Sequence, residues 1–216
     1  MTRARGYLIA VLASAVAVLA ALTSGVRAHP HVWITFEATV LYDKGTFTGL
    51  RHKWTFDEFY TTMAIEGLDK NNDGVYDREE LAELAKVNVE GLKEFAYFTY
   101  PVVGGKDVKL GEVRDYYLEY KDKALSLYLT VPFTEPIPAT AKDFAFVVQD
   151  PAFFIAFLPA KTDPVKFSEG APKTCKVMIG NPKTGEDDSD RLAKAFAQLA
   201  TAVSTAKAVS VDCTAP

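Results

Sequence analysis

Two adjacent segments decide how this 216-residue chain folds: "HVWITFEATVLYD" at residues 31–43 and "TFTGLRHKWTF" at residues 46–56. In the first segment apolar side chains alternate with polar ones, which is the period of a β-strand with one buried face. The residues "DKG" at 43–45 are typical of a tight turn. The two segments therefore predict an antiparallel β-hairpin.

The rest of the chain predicts more strands than helices. Strands are expected at residues 95–103, 113–122, 124–133, 143–150, 153–159, 165–168, 175–180 and 208–213. Helical spacing occurs at residues 57–68, where it includes Phe59 and Met63, and at residues 78–98. A third helix is predicted at residues 185–204, with Asp188 or Ser189 as its N-cap. Because βαβ alternation is absent, we expect an α+β fold, a mostly antiparallel sheet with a helical insertion near 57–93 and a C-terminal helix.

The first 28 residues are typical of a secretory signal peptide. A short basic start is followed by an apolar run at residues 7–22 and by small residues that end at Ala28. A membrane anchor is the alternative, but a run of 16 residues is shorter than the roughly 20 that span a bilayer. Cleavage after Ala28 leaves a single periplasmic domain, residues 29–216, which is not embedded in the membrane. Cleavage after Gly25 would give a different N-terminus.

The charge of the chain bears on its partners. It carries 24 basic and 28 acidic residues, and removal of the leader takes away three arginines and no acid, which leaves a net charge of −7. An acidic protein does not favour nucleic acid or an anionic lipid surface as a partner.

The chain has two cysteines, Cys175 and Cys213. In an exported protein, two cysteines predict one disulfide, which here would tie the last residues to the body of the domain. Two separate thiols are the alternative. Neither a catalytic Ser/His/Asp set nor an HExxH motif is present in the sequence, so we do not expect an enzyme.

A charged segment between the first two predicted helices, "DKNNDGVYDREE" at residues 69–80, matches the EF-hand calcium loop position by position. Its expected ligands, at positions 1, 3, 5, 7, 9 and 12, are Asp69, Asn71, Asp73, the carbonyl of Val75, Asp77 and Glu80. Gly74 at position 6 permits the sharp turn. Tyr76 at position 8 departs from the pattern, because an aliphatic residue usually pairs there with a second EF-hand loop, and the sequence contains no second loop. The calcium is therefore expected to be structural.

The histidines form a second candidate metal site. Cleavage after Ala28 exposes His29 as the N-terminal residue, whose α-amine and imidazole can chelate one ion. His31 adds a third nitrogen, and Pro30 restricts the backbone between them. Nitrogen donors suit nickel, cobalt, zinc or copper. A frayed N-terminus without a ligand is the alternative.

The predicted hairpin also places the third histidine. If residues 44–45 form the loop, His52 pairs with Glu37, and His31 pairs with Glu58. His31 and His52 then share a face of the sheet, but they lie about 20 Å apart along the strands, which is too far to bind one ion.

Two acids that follow the hairpin are therefore the expected co-ligands of His29 and His31, namely Asp57 and Glu58. A bulge near Gly49 would shift the pairing and change this expectation. The aromatic turn "QDPAFFIAF" at residues 149–157 is expected to pack in the core, although its aspartate could reach the same end of the sheet.

The start "HPHVWI", the segment W-x-F-D-E-F at residues 54–59, the acidic loop and "QDPAFFIAF" together resemble the domain-of-unknown-function family numbered 1007. Members of that family are exported proteins that are often described as periplasmic components of ABC-type transport systems and are frequently encoded beside nickel/cobalt or zinc transporters. The resemblance implies a role in transition-metal handling with an inner-membrane transporter as partner. It points to His29, His31 and Asp57, framed by Trp33 and Trp54.

These observations give one leading hypothesis and two rivals. The leading hypothesis is a periplasmic metal-binding accessory protein with a calcium loop. One rival is a calcium-stabilised interaction module without a transition metal. The other is an oxidative copper enzyme with an N-terminal histidine brace, but in such enzymes the second histidine lies far downstream.

Overall fold

A computed structural model describes residues 30–180 and 207–213 of the chain. The predicted hairpin is present as strands β1 (Val32–Asp43) and β2 (Thr46–Phe56). Its turn residues Lys44 and Gly45 have φ values of 44° and 88°. Two left-handed residues at the centre of a two-residue loop match the twist of the flanking strands, which explains the glycine.

The strands form two sheets, and the α+β class is confirmed. The strands that follow β1 and β2 are β3 (Thr99–Val103), β4 (Lys106–Asp107), β5 (Tyr116–Lys121), β6 (Ala124–Pro138), β7 (Phe144–Val148), β8 (Ile155–Pro159), β9 (Val165–Phe167), β10 (Lys176–Gly180) and β11 (Ala208–Asp212). The first sheet has the order β5-β6-β2-β1-β8, with β9 also paired to β1, and the second has the order β10-β11-β7-β3-β4. Most pairs are antiparallel, but β8 and β9 run parallel to β1.

The apolar faces of the two sheets pack against each other. The ring of Phe47 on β2 stacks on Phe144 of β7 at 5.4 Å between centroids, and Phe133 of β6 meets Phe144 edge-on. Trp54 on β2 is almost fully buried in the same cluster. This shared core explains why alternate residues of the central strands are apolar.

A bulge corrects the predicted register of the hairpin. Near the turn the pairing is as predicted, but it shifts between Leu41 and Tyr42, opposite Gly49. A Cβ atom on Gly49 would lie 2.5 Å from the carbonyl oxygen of Val131 on β6. The close approach of β6 thus requires glycine at this position. The shift pairs His52 with Ala38 rather than with Glu37, so that prediction was wrong.

Two helices connect β2 of the first sheet to β3 of the second. Helix α1 spans Glu58–Ala64 and helix α2 spans Ala82–Leu92, with residues 69–80 between them. The buried side of α1 is formed by Thr61, followed by Ile65 just after the helix, whereas Phe59 and Met63 are 74% and 56% exposed. The apolar spacing therefore predicted the helix but not the face that packs on the sheets.

The chain reverses sharply between α2 and β3. Three consecutive residues have left-handed φ values of 47° to 52°, and none of them is a glycine: Ala96, Tyr97 and Phe98. Because this turn occupies residues 93–98, the strand predicted at 95–103 begins only at Thr99.

The disulfide prediction is confirmed: Cys175 and Cys213 are bonded, which ties β10 to the end of β11. The helix predicted at 185–204 lies outside the described residues. Among the helices of residues 30–180 and 207–213, none has the length and apolarity needed to cross a membrane.

Candidate functional site

The start of β1 holds His31 by its backbone and leaves its side chain exposed. The His31 N–H donates a 2.8 Å hydrogen bond to the carbonyl oxygen of Phe154, and the two rings lie 4.8 Å apart. Within the described part of the chain, the His31 imidazole makes no hydrogen bond or ion pair, so its nitrogens remain accessible to an ion. His29, the expected first ligand, lies outside the described residues.

Asp57, predicted as a metal ligand, has a structural role. Its Oδ1 atom accepts the N–H of Tyr60 at 2.8 Å, which caps α1, and its Oδ2 atom accepts the N–H of Trp33 at 2.7 Å. An aspartate immediately before a helical run is a common capping signal, and here that signal marks its role. Glu58 is exposed in the first turn of α1. Among the described residues, no hydrogen bond or ion pair joins His31 to either acid, and the three are not grouped as a metal site.

Asp150 organises the aromatic turn that meets His31. This buried carboxylate accepts three backbone N–H bonds of 2.8 to 2.9 Å, from Ala152, Phe154 and Ile155. Burial raises the pKa of Tyr100, and the nearby charge of Asp150 raises it further. Asp150 therefore reaches the His31 end of the sheet through Phe154 rather than as a free ligand.

His52 is fully buried between the sheets and has no access to the His31 end. The hydroxyl of Thr99 donates its one hydrogen to the carbonyl oxygen of Tyr97 at 2.8 Å. In the 3.2 Å hydrogen bond between Thr99 and His52, the Nε2–H group of the histidine is therefore the donor. Its Nδ1 atom then carries a lone pair, and it has no partner among the described residues. Burial lowers the pKa of His52 to about 3.

The sequence contained a signal for this burial. In β2, His52 occurs at the same alternation as Leu50, Trp54 and Phe56, all of which are buried. Period-two alternation places such residues on one face of a strand, so the histidine belongs to the core face.

The first half of the 69–80 loop turns around its own acidic side chains. The carboxylate of Asp69 accepts the N–H of Asp73 at 3.2 Å and the N–H of Gly74 at 3.0 Å. Gly74 has φ = 78°, a conformation that favours glycine. Asn71 accepts the N–H of Asp73, and Asp73 accepts the N–H of Val75. The side chains predicted to bind calcium from positions 1, 3 and 5 therefore lie on the inside of one tight turn.

The second half closes the loop onto its beginning. Glu80 is buried; its Oε1 atom accepts the N–H of Lys70 at 2.8 Å, and its Oε2 atom accepts the N–H of Asp77 at 3.3 Å. Asp77 in turn accepts the N–H of Glu80 at 2.9 Å. The residue predicted at position 12 thus contacts position 2, which brings the two ends of the loop together.

The carboxylates of the loop bind backbone N–H groups and are not gathered on one point. Within residues 30–180 and 207–213, no three His, Cys, Asp or Glu side chains are grouped as a metal site. A calcium ion would use the remaining lone pairs of these oxygens, since each carboxylate offers about four acceptor positions. Because the carboxylates do not converge on one point, calcium binding would require their side chains to rotate, while the backbone turn is already formed.

Two side chains of the loop face the sheet. Tyr76 contacts Tyr120 edge-on at 4.9 Å between centroids, and the guanidinium of Arg78 lies 3.6 Å from the ring centre of Tyr117. Both tyrosines belong to β5, the edge strand of the first sheet. The loop is thus fixed to the sheet as well as to the two helices.

A surface cleft of about 700 Å³ lies near the left-handed turn. Its lining includes Lys93, Tyr97, Tyr100 and Lys109. It contains none of the predicted metal ligands, so it is separate from both candidate metal sites.

Comparison with known proteins identifies the family. A family model described as "Protein of unknown function (DUF1007)" matches residues 14–213, and the chain therefore belongs to that family. The resemblance seen in the sequence is confirmed at this level. The chain is also 24% identical over 165 residues to a protein of Haemophilus influenzae with the printed name "Uncharacterized protein", which covers 76% of this chain and 79% of that relative. Neither description states an activity.

Proposed function

We propose that this chain is a periplasmic metal-binding accessory protein of transition-metal transport, with a structural calcium ion in the 69–80 loop. The observation that carries the proposal is the turn at Gly74, whose N–H donates to Asp69 from a left-handed backbone. This is the position at which an EF-hand loop needs glycine to bend around its ion.

The donors of the loop suit calcium. Calcium takes six to eight oxygen ligands, and the loop offers four carboxylates, one amide oxygen and the carbonyl of Val75. Three ion pairs of the described residues, Lys53–Glu37, Lys93–Glu112 and Arg114–Glu112, involve acids outside the loop. A divalent cation would compensate the buried carboxylate of Glu80, whose partners among the described residues are the N–H groups of Lys70 and Asp77.

The transition metal is assigned to the N-terminal histidines. Pro30 has no N–H, and the His31 N–H donates to Phe154. Neither backbone nitrogen is then available as a metal ligand, which leaves the α-amine and imidazole of His29 and the imidazole of His31. Such a site suits nickel, cobalt, zinc or copper. Asp57 already accepts two backbone hydrogen bonds, so it would bind a metal only through the remaining lone pairs of its carboxylate.

Transfer to an inner-membrane transporter is supported by the exposure of His31 and by what the family resemblance implies. A metal held by few side chains at an exposed chain end has open coordination positions through which a second protein can take it. No chemical step on a substrate is needed for this role.

Titration calorimetry of the exported protein tests the proposal. Calcium should bind once, with a dissociation constant between about 10⁻⁶ and 10⁻³ M, and Glu80→Gln should abolish binding. Nickel, cobalt, zinc or copper should bind once, and the His29→Ala/His31→Ala double variant should lose that site while it keeps calcium. A protein that binds neither class of ion would refute the proposal.

The second candidate is a calcium-stabilised interaction module without a transition metal. It is supported by the exposure of two aromatic side chains beside His31, since Trp33 is 48% and Phe154 is 54% exposed. An unchanged cellular function of the double histidine variant would favour this candidate.

A further inference from the structure

The contacts of the loop with β5 extend beyond the residues expected to bind calcium. Tyr76 occupies position 8 and Arg78 position 10, between the expected donors Val75, Asp77 and Glu80. Tyr76 meets Tyr120 at 4.9 Å. In paired EF-hands, position 8 contacts the neighbouring calcium loop; here the same position contacts a strand.

The contact of Arg78 continues into the sheet. Its guanidinium lies over Tyr117, whose ring stacks on Tyr128 of β6 at 4.5 Å with an interplanar angle of 12°. The hydroxyl of Tyr128 donates to Glu119 at 3.0 Å. A cation placed over an aromatic face is attracted by the ring, and here the ring is itself fixed by its neighbours.

From these contacts we infer that Tyr76 and Arg78 are positioning residues for the calcium loop. Through Tyr120 and Tyr117 they hold the second half of the loop, which carries Asp77, against β5. A strand of the sheet thus takes the place of the second EF-hand loop. This inference rests on the calcium function proposed above.

The direction in which Arg78→Ala changes calcium affinity distinguishes this inference from a purely electrostatic effect. Arg78 is a cation within a loop of five carboxylates, four of them expected ligands, so on charge alone Arg78→Ala would strengthen calcium binding. If the arginine positions the loop, its removal weakens binding, because calcium must then also order the freed segment. Lys70 provides the matched control, since it carries the same charge at position 2 and its bond to Glu80 comes from the backbone.

The experiment is calcium titration of the exported protein and of Arg78→Ala, Tyr117→Leu and Lys70→Ala. We expect the dissociation constant to rise about two- to fivefold in Arg78→Ala, which corresponds to an exposed cation–π contact. It should also rise in the charge-neutral Tyr117→Leu variant and should stay equal or fall in Lys70→Ala. In the unaltered protein, calcium should shift the NMR signals of the Tyr117 ring, and in Arg78→Ala this shift should diminish.

The outcomes distinguish the two claims. If the unaltered protein binds calcium but Arg78→Ala binds it as tightly as Lys70→Ala or more tightly, the positioning role is wrong and the calcium site stands. If Tyr117→Leu fails to fold, the comparison of calcium affinity between Arg78→Ala and Lys70→Ala still tests the positioning role. A chain that binds no calcium at all overturns the proposed function and this inference with it.

Discussion

The carboxylate of Asp57 joins the first helix to the first strand: its Oδ2 atom accepts the Trp33 N–H at 2.7 Å while its Oδ1 atom caps α1 through Tyr60. The Asp57 N–H donates back to the Trp33 carbonyl oxygen at 2.9 Å. The acid that sequence reasoning placed in a metal site therefore holds the end of the hairpin together.

Replacing Asp57 with alanine should lower the free energy of unfolding by about 1–3 kcal/mol, because the helix loses its cap and the Trp33 N–H loses its partner. Urea denaturation measures this change. Glu58→Gln is the control, because Glu58 is exposed and makes neither bond, and it should have little effect. A loss of transition-metal affinity in Asp57→Ala with unchanged stability would show that Asp57 acts as a metal ligand rather than as a cap.

Acid should destabilise the protein through His52. Burial lowers its pKa from 6.5 to about 3, so below about pH 6.5 the unfolded chain takes up a proton that the folded chain refuses. The free energy of unfolding should therefore fall as the pH falls through this window, by up to about 1.4 kcal/mol per pH unit, with no contribution above it.

The variant His52→Leu should remove this part of the slope when denaturation is followed between about pH 6 and pH 4. Equal pH dependence of the free energy of unfolding in the unaltered protein and in His52→Leu would show that the pKa of His52 is not lowered in the folded protein.

Replacement by alanine should have opposite effects at Gly49, beside the bulge of the hairpin, and at Gly91, in a helix. Gly49→Ala should destabilise the fold by about 1–3 kcal/mol, because its Cβ would meet Val131 of β6. Gly91→Ala in α2 has free space around the new Cβ and should stabilise the fold by up to about 1 kcal/mol. Thermal unfolding of both variants measures the difference, and a neutral Gly49→Ala would contradict the described register.

The disulfide should contribute to stability through the unfolded chain. Cys175 and Cys213 are 38 residues apart, which corresponds to about 4 kcal/mol of loop-closure entropy. The double Cys→Ser variant should unfold at a correspondingly lower denaturant concentration, and dithiothreitol should have the same effect on the unaltered protein but none on the variant. An unchanged midpoint would mean that the bridge does not constrain the unfolded chain.

The sequence predicted the fold well where the signal is local. The alternation in residues 31–43 and the "DKG" turn located the hairpin, and the two cysteines predicted their bond. The register failed because the bulge depends on the approach of β6 to Gly49, a contact between residues distant in sequence. The strand expected from residue 95 was shortened by a left-handed turn at Ala96–Phe98, which contains no glycine to mark it.

The candidate sites show the same division. Spacing alone predicted a turn in the acidic segment 69–80, and Gly74 has a left-handed backbone there, while calcium binding stays a prediction. The contacts of Tyr76 and Arg78 with β5 could not be foreseen, because nothing local in sequence indicates which strand a loop side chain will meet. The position of Asp57 directly before a helical run is also the signature of a helix cap, which the structure shows, and its role as a metal ligand stays a prediction.

The most direct test of the proposed export and metal binding is the native mass of the protein isolated from cells under native conditions and supplied with calcium and one transition metal. We predict the mass of residues 29–216 with one calcium and one transition-metal ion, and loss of the second ion alone in the His29→Ala/His31→Ala variant. A chain that keeps residues 1–28, or a mature chain that carries no metal, would contradict the proposed function.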